Sequence, residues 1–167
     1  MKYVGAFALL SAACVCAQSD NSPLKPLAFL EGTWEAKTQQ GSAGATAGGT
    51  YTFVKELGGH VLARHGALSD CKGPASFDCD HGDLLYVYQD DSTLKAIYFD
   101  NEGHVIHYKV AASSGAVEFL SDPSNSGPQF RLAYERKDSV MSGKFQMRMP
   151  GQTEWKSYLE WSGAKKP

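Results

Sequence analysis

The feature that most constrains this chain is a recurring pattern of short stretches in which polar and apolar side chains alternate, separated by turn signals. The stretches cover residues 33–37, 50–57, 60–68, 83–89, 93–100, 104–111, 116–121, 129–136, 140–149 and 153–161. Alternation with a period of two is the mark of a strand with one buried face. Between the stretches stand Gly58 with Gly59, Asp90 to Ser92, Asn101 to Gly103, Ser113 to Gly115, Lys137 to Ser139, and Pro150 with Gly151. These residue types suit tight turns. Nothing after residue 17 keeps helical spacing for long. Ten short strands with mostly short links make an all-β chain, and the simplest arrangement is an antiparallel up-and-down barrel. Closing the barrel removes exposed edges, and ten strands leave room for a lumen. Composition agrees: of 167 residues 17 are Gly and 11% are aromatic, while 43% hydrophobic and 20% charged residues argue against disorder.

Residues 1–17 read as a signal peptide. Lys2 supplies a minimal basic end, residues 3–13 are apolar, and Val15, Cys16 and Ala17 offer small side chains before a cut that leaves Gln18 first. The apolar run falls short of the roughly 20 residues a spanning helix needs. A lipid anchor at Cys14 is the less favoured alternative, since the residues before it fit a lipobox poorly. Residues 18–25 read as a flexible lead, 26–163 as the barrel domain and 164–167 as a tail. The expected location is outside the cytoplasm, periplasmic or secreted.

Of the four cysteines, Cys14 and Cys16 leave with the leader, so Cys71 and Cys79 remain. In an oxidising compartment they are expected to pair, closing a loop that carries Gly73 and Pro74. Two free thiols or a metal pair are the other readings, although the spacing matches no zinc knuckle.

Charge excludes one large class of function. The whole chain carries a net charge of -2, and its basic residues are scattered rather than striped, so no nucleic-acid partner is expected. The sum hides an asymmetry, because residues 70–102 hold eight acids against two bases and residues 131–167 hold eight bases against four acids.

Residues 26–30 suit one helical turn, with Pro26 placed where its missing N–H does no harm. Then come Glu31, Gly32, Thr33 and Trp34. A helical turn running into Gly-x-Trp at the first strand resembles the opening of the lipocalin-like, or calycin, barrels. The segment Phe29-Leu30-Glu31-Gly32-Thr33-Trp34 also looks like the start of exported bacterial lipocalin-like domains and is distantly similar to nitrobindin. The resemblance implies that Trp34 plugs one end of a barrel whose lumen takes an apolar ligand. The haem of nitrobindin would need a His near the end of the chain, whereas the last one here is His107.

No catalytic residue, metal or cofactor is assigned. There is no Gly-x-Ser-x-Gly elbow. His104 and His107 point to opposite faces of one strand, as do His60 and His65. Asp70, Asp78, Asp80 and Asp83 are the densest acidic group, but without EF-hand spacing they read as solvated carboxylates. The leading expectation is a binding protein for a small apolar or amphipathic molecule, with no membrane span. Its expected wall is Trp34, Phe53, Tyr86, Tyr98, Arg131, Phe145, Met147 and Trp155. Arg131 would anchor an anion, unless it faces outward and pairs with Glu135 or another acid. An enzyme of isomerase or lyase type using the same lumen, and a packed structural barrel, are the alternatives.

Overall fold

Each of the ten alternating stretches is a strand in the computed structural model, which describes residues 22–40, 44–124 and 126–167. The strands are β1 Gly32–Gln40, β2 Thr46–Glu56, β3 Val61–Lys72, β4 Gly82–Asp90, β5 Thr93–Asp100, β6 Val105–Ser113, β7 Ala116–Ser121, β8 Gln129–Lys137, β9 Val140–Arg148 and β10 Lys156–Lys165. Every strand runs antiparallel to its neighbour in sequence, and β1 pairs with β10 to close the barrel. Short turns explain this order, because they leave consecutive strands side by side. The leader and Cys14 readings lie outside the described residues. Among the described residues no helix is long and apolar enough to cross a membrane.

Several boundaries differ from the sequence reading: β1 runs on to Gln40 and β3 to Lys72, and two further shifts bear on the site. The Gly-rich stretch before Thr50 reads as loop, yet Gly48 and Gly49 lie inside β2, opposite Lys37 and Ala36 of β1. Ladder hydrogen bonds to partners on both sides outweigh the weak strand preference of glycine. The last strand is displaced towards the C-terminus, and Lys165 still pairs with Trp34. Closure against β1 sets that register, which leaves Trp155 outside the sheet.

The two ends of the barrel differ. One is sealed by a 3-10 turn, Lys25–Leu30, with Leu24, Leu27 and Leu30 at most 1% exposed. Leu24 is therefore already anchored, although the sequence reads it as part of a flexible lead. Trp34 is fully buried beside them, and its indole Nε1 donates to the Leu30 carbonyl at 2.8 Å. Gly32 has φ +116°, which a side chain would strain, so the glycine of Gly-x-Trp is what lets the chain swing from the turn into β1. Above this floor Phe53, Leu62, Leu85, Val87, Val117, Phe119 and Met141 complete the core.

The other end carries the longer connections. There Cys71, at the end of β3, is bonded to Cys79, as the sequence predicts. The closed loop is short, and the chain-entropy argument gives it about 2–3 kcal/mol. Cys71→Ala/Cys79→Ala should lower the unfolding free energy in urea by that amount and keep the far-UV signal of the barrel. An unchanged midpoint would mean that the loop is equally ordered without the bond.

Candidate functional site

Alternation along the strands carries one set of side chains inward, and near the disulfide end they do not fill the space. A cavity of about 500 Å³ remains, opening between the 71–79 loop, the β5–β6 turn and the segment before β8. Its apolar wall comes from Ile106, Leu132, Met147 and Leu159 and from the stacked pair Phe130 and Phe145, whose rings lie 5.6 Å apart. Tyr158 stands edge-on to Phe145 at 6.1 Å. Adjacent residues of a regular strand would face opposite sides. Tyr158 and Leu159 both reach the cavity because the register slips between Ser157 and Leu159.

The polar part of the wall is deeper and centres on Arg64. The period-two face of β3 that carries Leu62 inward also carries Arg64, and that of β4 carries Asp83 along with Leu85 and Val87. Arg64 Nη1 is ion-paired with Asp83 Oδ1, and both side chains are about nine-tenths buried. Gly66, opposite Asp83, leaves the room: a methyl group there would lie 2.7 Å from Asp83 Oδ1. Burial works against each charge, but the partner outweighs it. The carboxylate holds Arg64 above its ordinary pKa, and the guanidinium, helped by His81, holds Asp83 below the usual carboxylate range.

His81 extends the network to the mouth. Its Nδ1 lies 3.0 Å from Glu102 Oε1, and its Nε2 lies 3.2 Å from Tyr98 Oη and 3.6 Å from Asp83 Oδ2. Asp83 raises the His81 pKa, burial opposes it, and Glu102 adds to the rise. Burial pushes Tyr98, Tyr108 and Tyr134 well above the usual phenol range, and it brings Tyr51 up to about 12. All four hydroxyls are therefore protonated at neutral pH.

Among the described residues two groups of side chains at the mouth could approach a common ion, Asp78 with His81 and Glu102, and Asp100 with Glu102 and His104. Protein partners already engage them. His104 Nδ1 lies 2.8 Å from Asp100 Oδ2, and Asp78 accepts from Asn101 Nδ2 at 3.2 Å and from the Asp80 backbone at 2.9 Å. The acidic group singled out in the sequence is dispersed: Asp83 enters the lumen, Asp78 sits at the mouth, and Asp70 and Asp80 are exposed.

The expected wall residues fall into three sets. Tyr98, Phe145 and Met147 line the cavity. Trp34 and Phe53 belong to the packed floor. Tyr86, Arg131 and Trp155 lie off the lumen. Tyr86 is out of phase with Leu85 and Val87 and covers Ala63 on the outer face. Arg131, out of phase with Phe130 and Leu132, donates to Gln146 Oε1 at 2.9 Å and stands 3.7 Å from Glu118 Oε2. That is the outward alternative, with Glu118 rather than Glu135 as its acid. Trp155 precedes β10 and packs against the guanidinium groups of Arg131 and Arg148, at 4.5 and 4.8 Å from its ring. The inward arginine is Arg64, which the sequence reading missed. Its signal was a charge in phase with Leu62 and Leu68, just as Asp83 is in phase with Leu85. No protein-family model matches the chain, and no curated protein matches it.

Proposed function

We propose that the barrel is an exported carrier or receptor that binds a small, partly apolar molecule in its lumen. The observation that carries this reading is the cavity of about 500 Å³, apolar over most of its wall and open at one end. Its volume lies in the range of small-molecule sites, and a few fixed polar groups converge on it. The closed ten-stranded topology, with Trp34 seated on the entering turn, is consistent with a lipocalin-like barrel and supports the same reading. The Cys71–Cys79 bond supports placement in an oxidising compartment.

One observation favours an acid–base enzyme instead, the chain Glu102–His81–Tyr98 at the cavity wall. Tyr98, however, keeps its proton far above neutral pH, because burial and the neighbouring Asp83 and Asp100 disfavour the phenolate. It is set to donate a hydrogen bond rather than to take up a proton, so binding is the better-supported role.

Native mass spectrometry of protein purified from an exporting host should show a non-covalent adduct that is lost on denaturation. Protein that comes off empty, together with no thermal shift across a panel of lipids, ketones, terpenoids and pigments, would overturn the proposal.

A further inference from the structure

Among the described residues four buried polar atoms have no partner at hydrogen-bonding geometry, Tyr51 Oη, Arg64 Nε, Tyr134 Oη and Trp161 Nε1, although the Trp161 indole stands near enough to the Tyr51 hydroxyl to temper the rise that burial gives its pKa. Their residues are at most 9% exposed, and all four line the cavity. They come from β2, β3, β8 and β10, yet they are contiguous. The rings of Tyr51 and Tyr134 lie 5.8 Å apart and those of Tyr134 and Trp161 5.7 Å apart, with the Arg64 guanidinium 5.2 Å from the Tyr51 ring centre. The placement of Trp161 is built in. Its partner across the ladder is Gly143, and a methyl group at that position would overlap the indole.

A buried polar group left without a partner is costly, and a group of them on a cavity wall points to a ligand that completes them. Arg64 Nε and Trp161 Nε1 can only donate, and the two phenols can donate as well. The complement is therefore an acceptor. Charge narrows the class. Asp83 already balances Arg64, so a ligand carboxylate would add an uncompensated anion beside a buried ion pair. A cation would meet donors.

We propose that the lumen ligand carries an uncharged acceptor head, a carbonyl of the ketone, ester, amide or quinone kind, seated among Tyr51, Arg64, Tyr134 and Trp161 with its apolar remainder along Phe130, Phe145 and Leu159. This rests on the lumen-binding reading and names the chemistry of its ligand.

The test uses four probes of equal chain length, 2-decanone, decane, decanoate and decylammonium, titrated into the intact disulfide-bonded protein at neutral pH. The ketone should bind at least about tenfold tighter than each of the others, the gain expected of one or two completed hydrogen bonds. Tyr134→Phe keeps the ring and deletes only the hydroxyl. It should weaken the ketone several-fold, leave decane unchanged, and make the ligand-free protein no less stable, because it removes an unpartnered group. Tyr51→Phe gives an independent second variant. Equal affinity for decane and the ketone would overturn the acceptor head and leave the lumen reading standing. Tightest binding of decanoate would overturn the uncharged class. Binding of none of the probes would overturn the inference, while an adduct in native mass spectrometry would still uphold the lumen reading.

Discussion

Asp83→Asn should lower the unfolding free energy by about 3–5 kcal/mol at neutral pH, the range for stranding one member of a buried ion pair. The substitution keeps the shape of the side chain and removes only its charge. Arg64, about nine-tenths buried, would then have no carboxylate, and arginine cannot shed its proton to escape. Arg64→Met should be milder. The stranded Asp83 can take up a proton, so the deficit of that variant should shrink as the pH falls toward the ordinary carboxyl range. Replacing both, as Arg64→Met with Asp83→Leu, should recover most of the stability, since an apolar pair of similar volume avoids the desolvation of two charges. In the unsubstituted protein the sign is opposite to that in Arg64→Met. The folded-state pKa of Asp83 is lowered, so its contribution is fully present above the unfolded value of about 4 and is lost as the pH falls through the folded one. Urea unfolding of the four proteins between neutral pH and pH 3 checks the set. Equal losses in Asp83→Asn and Arg64→Met at neutral pH would show that the pair is solvated well enough for either charge to stand alone.

The same pair shows where sequence reading succeeded and where it stopped. Strand existence was legible because alternation and turn residues are local, and each short turn dictates an antiparallel neighbour. The interior chemistry was legible only in part. Arg64 and Asp83 sit in phase with Leu62 and Leu85, so the period places both inward, but which charge meets which depends on the pairing of Arg64 with Leu85 across β3 and β4. That register is a property of two strands together. Arg131 is open between an inward anchor and an outward ion pair when read from sequence, and its phase opposite to Phe130 and Leu132 selects the outer face beside Glu118. Trp155 was misplaced. Its spacing to Leu159 and Trp161 holds only in an unbroken strand, and the slip between Ser157 and Leu159 breaks the phase. Bulges carry no strong residue signature, so a period read through one assigns side chains to the wrong face. The orphaned donors of Tyr51, Tyr134 and Trp161 could not be read at all, since whether a partner is present is settled by the whole barrel.

Trp34→Ala should cost about 3–5 kcal/mol, the upper range for truncating a buried aromatic. The size of the effect depends on how far the surroundings can relax into the space left. Around Trp34 they can relax little, because the wall is a hydrogen-bonded ladder closed on itself, and strand spacing holds its circumference. The floor beneath is the turn that carries Leu27 and Leu30, whose position depends on the indole, since Trp34 Nε1 holds the Leu30 carbonyl at 2.8 Å. Arg136 and Lys165 also stand over the ring, at 5.9 and 5.8 Å, and add a cation–π attraction that alanine cannot replace. Trp34→Phe separates these contributions. It keeps most of the apolar area but leaves the Leu30 carbonyl unpaired, a loss of about 1–3 kcal/mol. Hydrogen exchange should then show the 25–30 turn opening ahead of the barrel in Trp34→Phe, and both opening together in Trp34→Ala. If Trp34→Ala costs less than about 1 kcal/mol, the floor is held by Leu24, Leu27 and Leu30 against the strands without the plug. The Gly-x-Trp pattern would then mark only the backbone bend at Gly32, since φ +116° requires glycine there whatever residue follows.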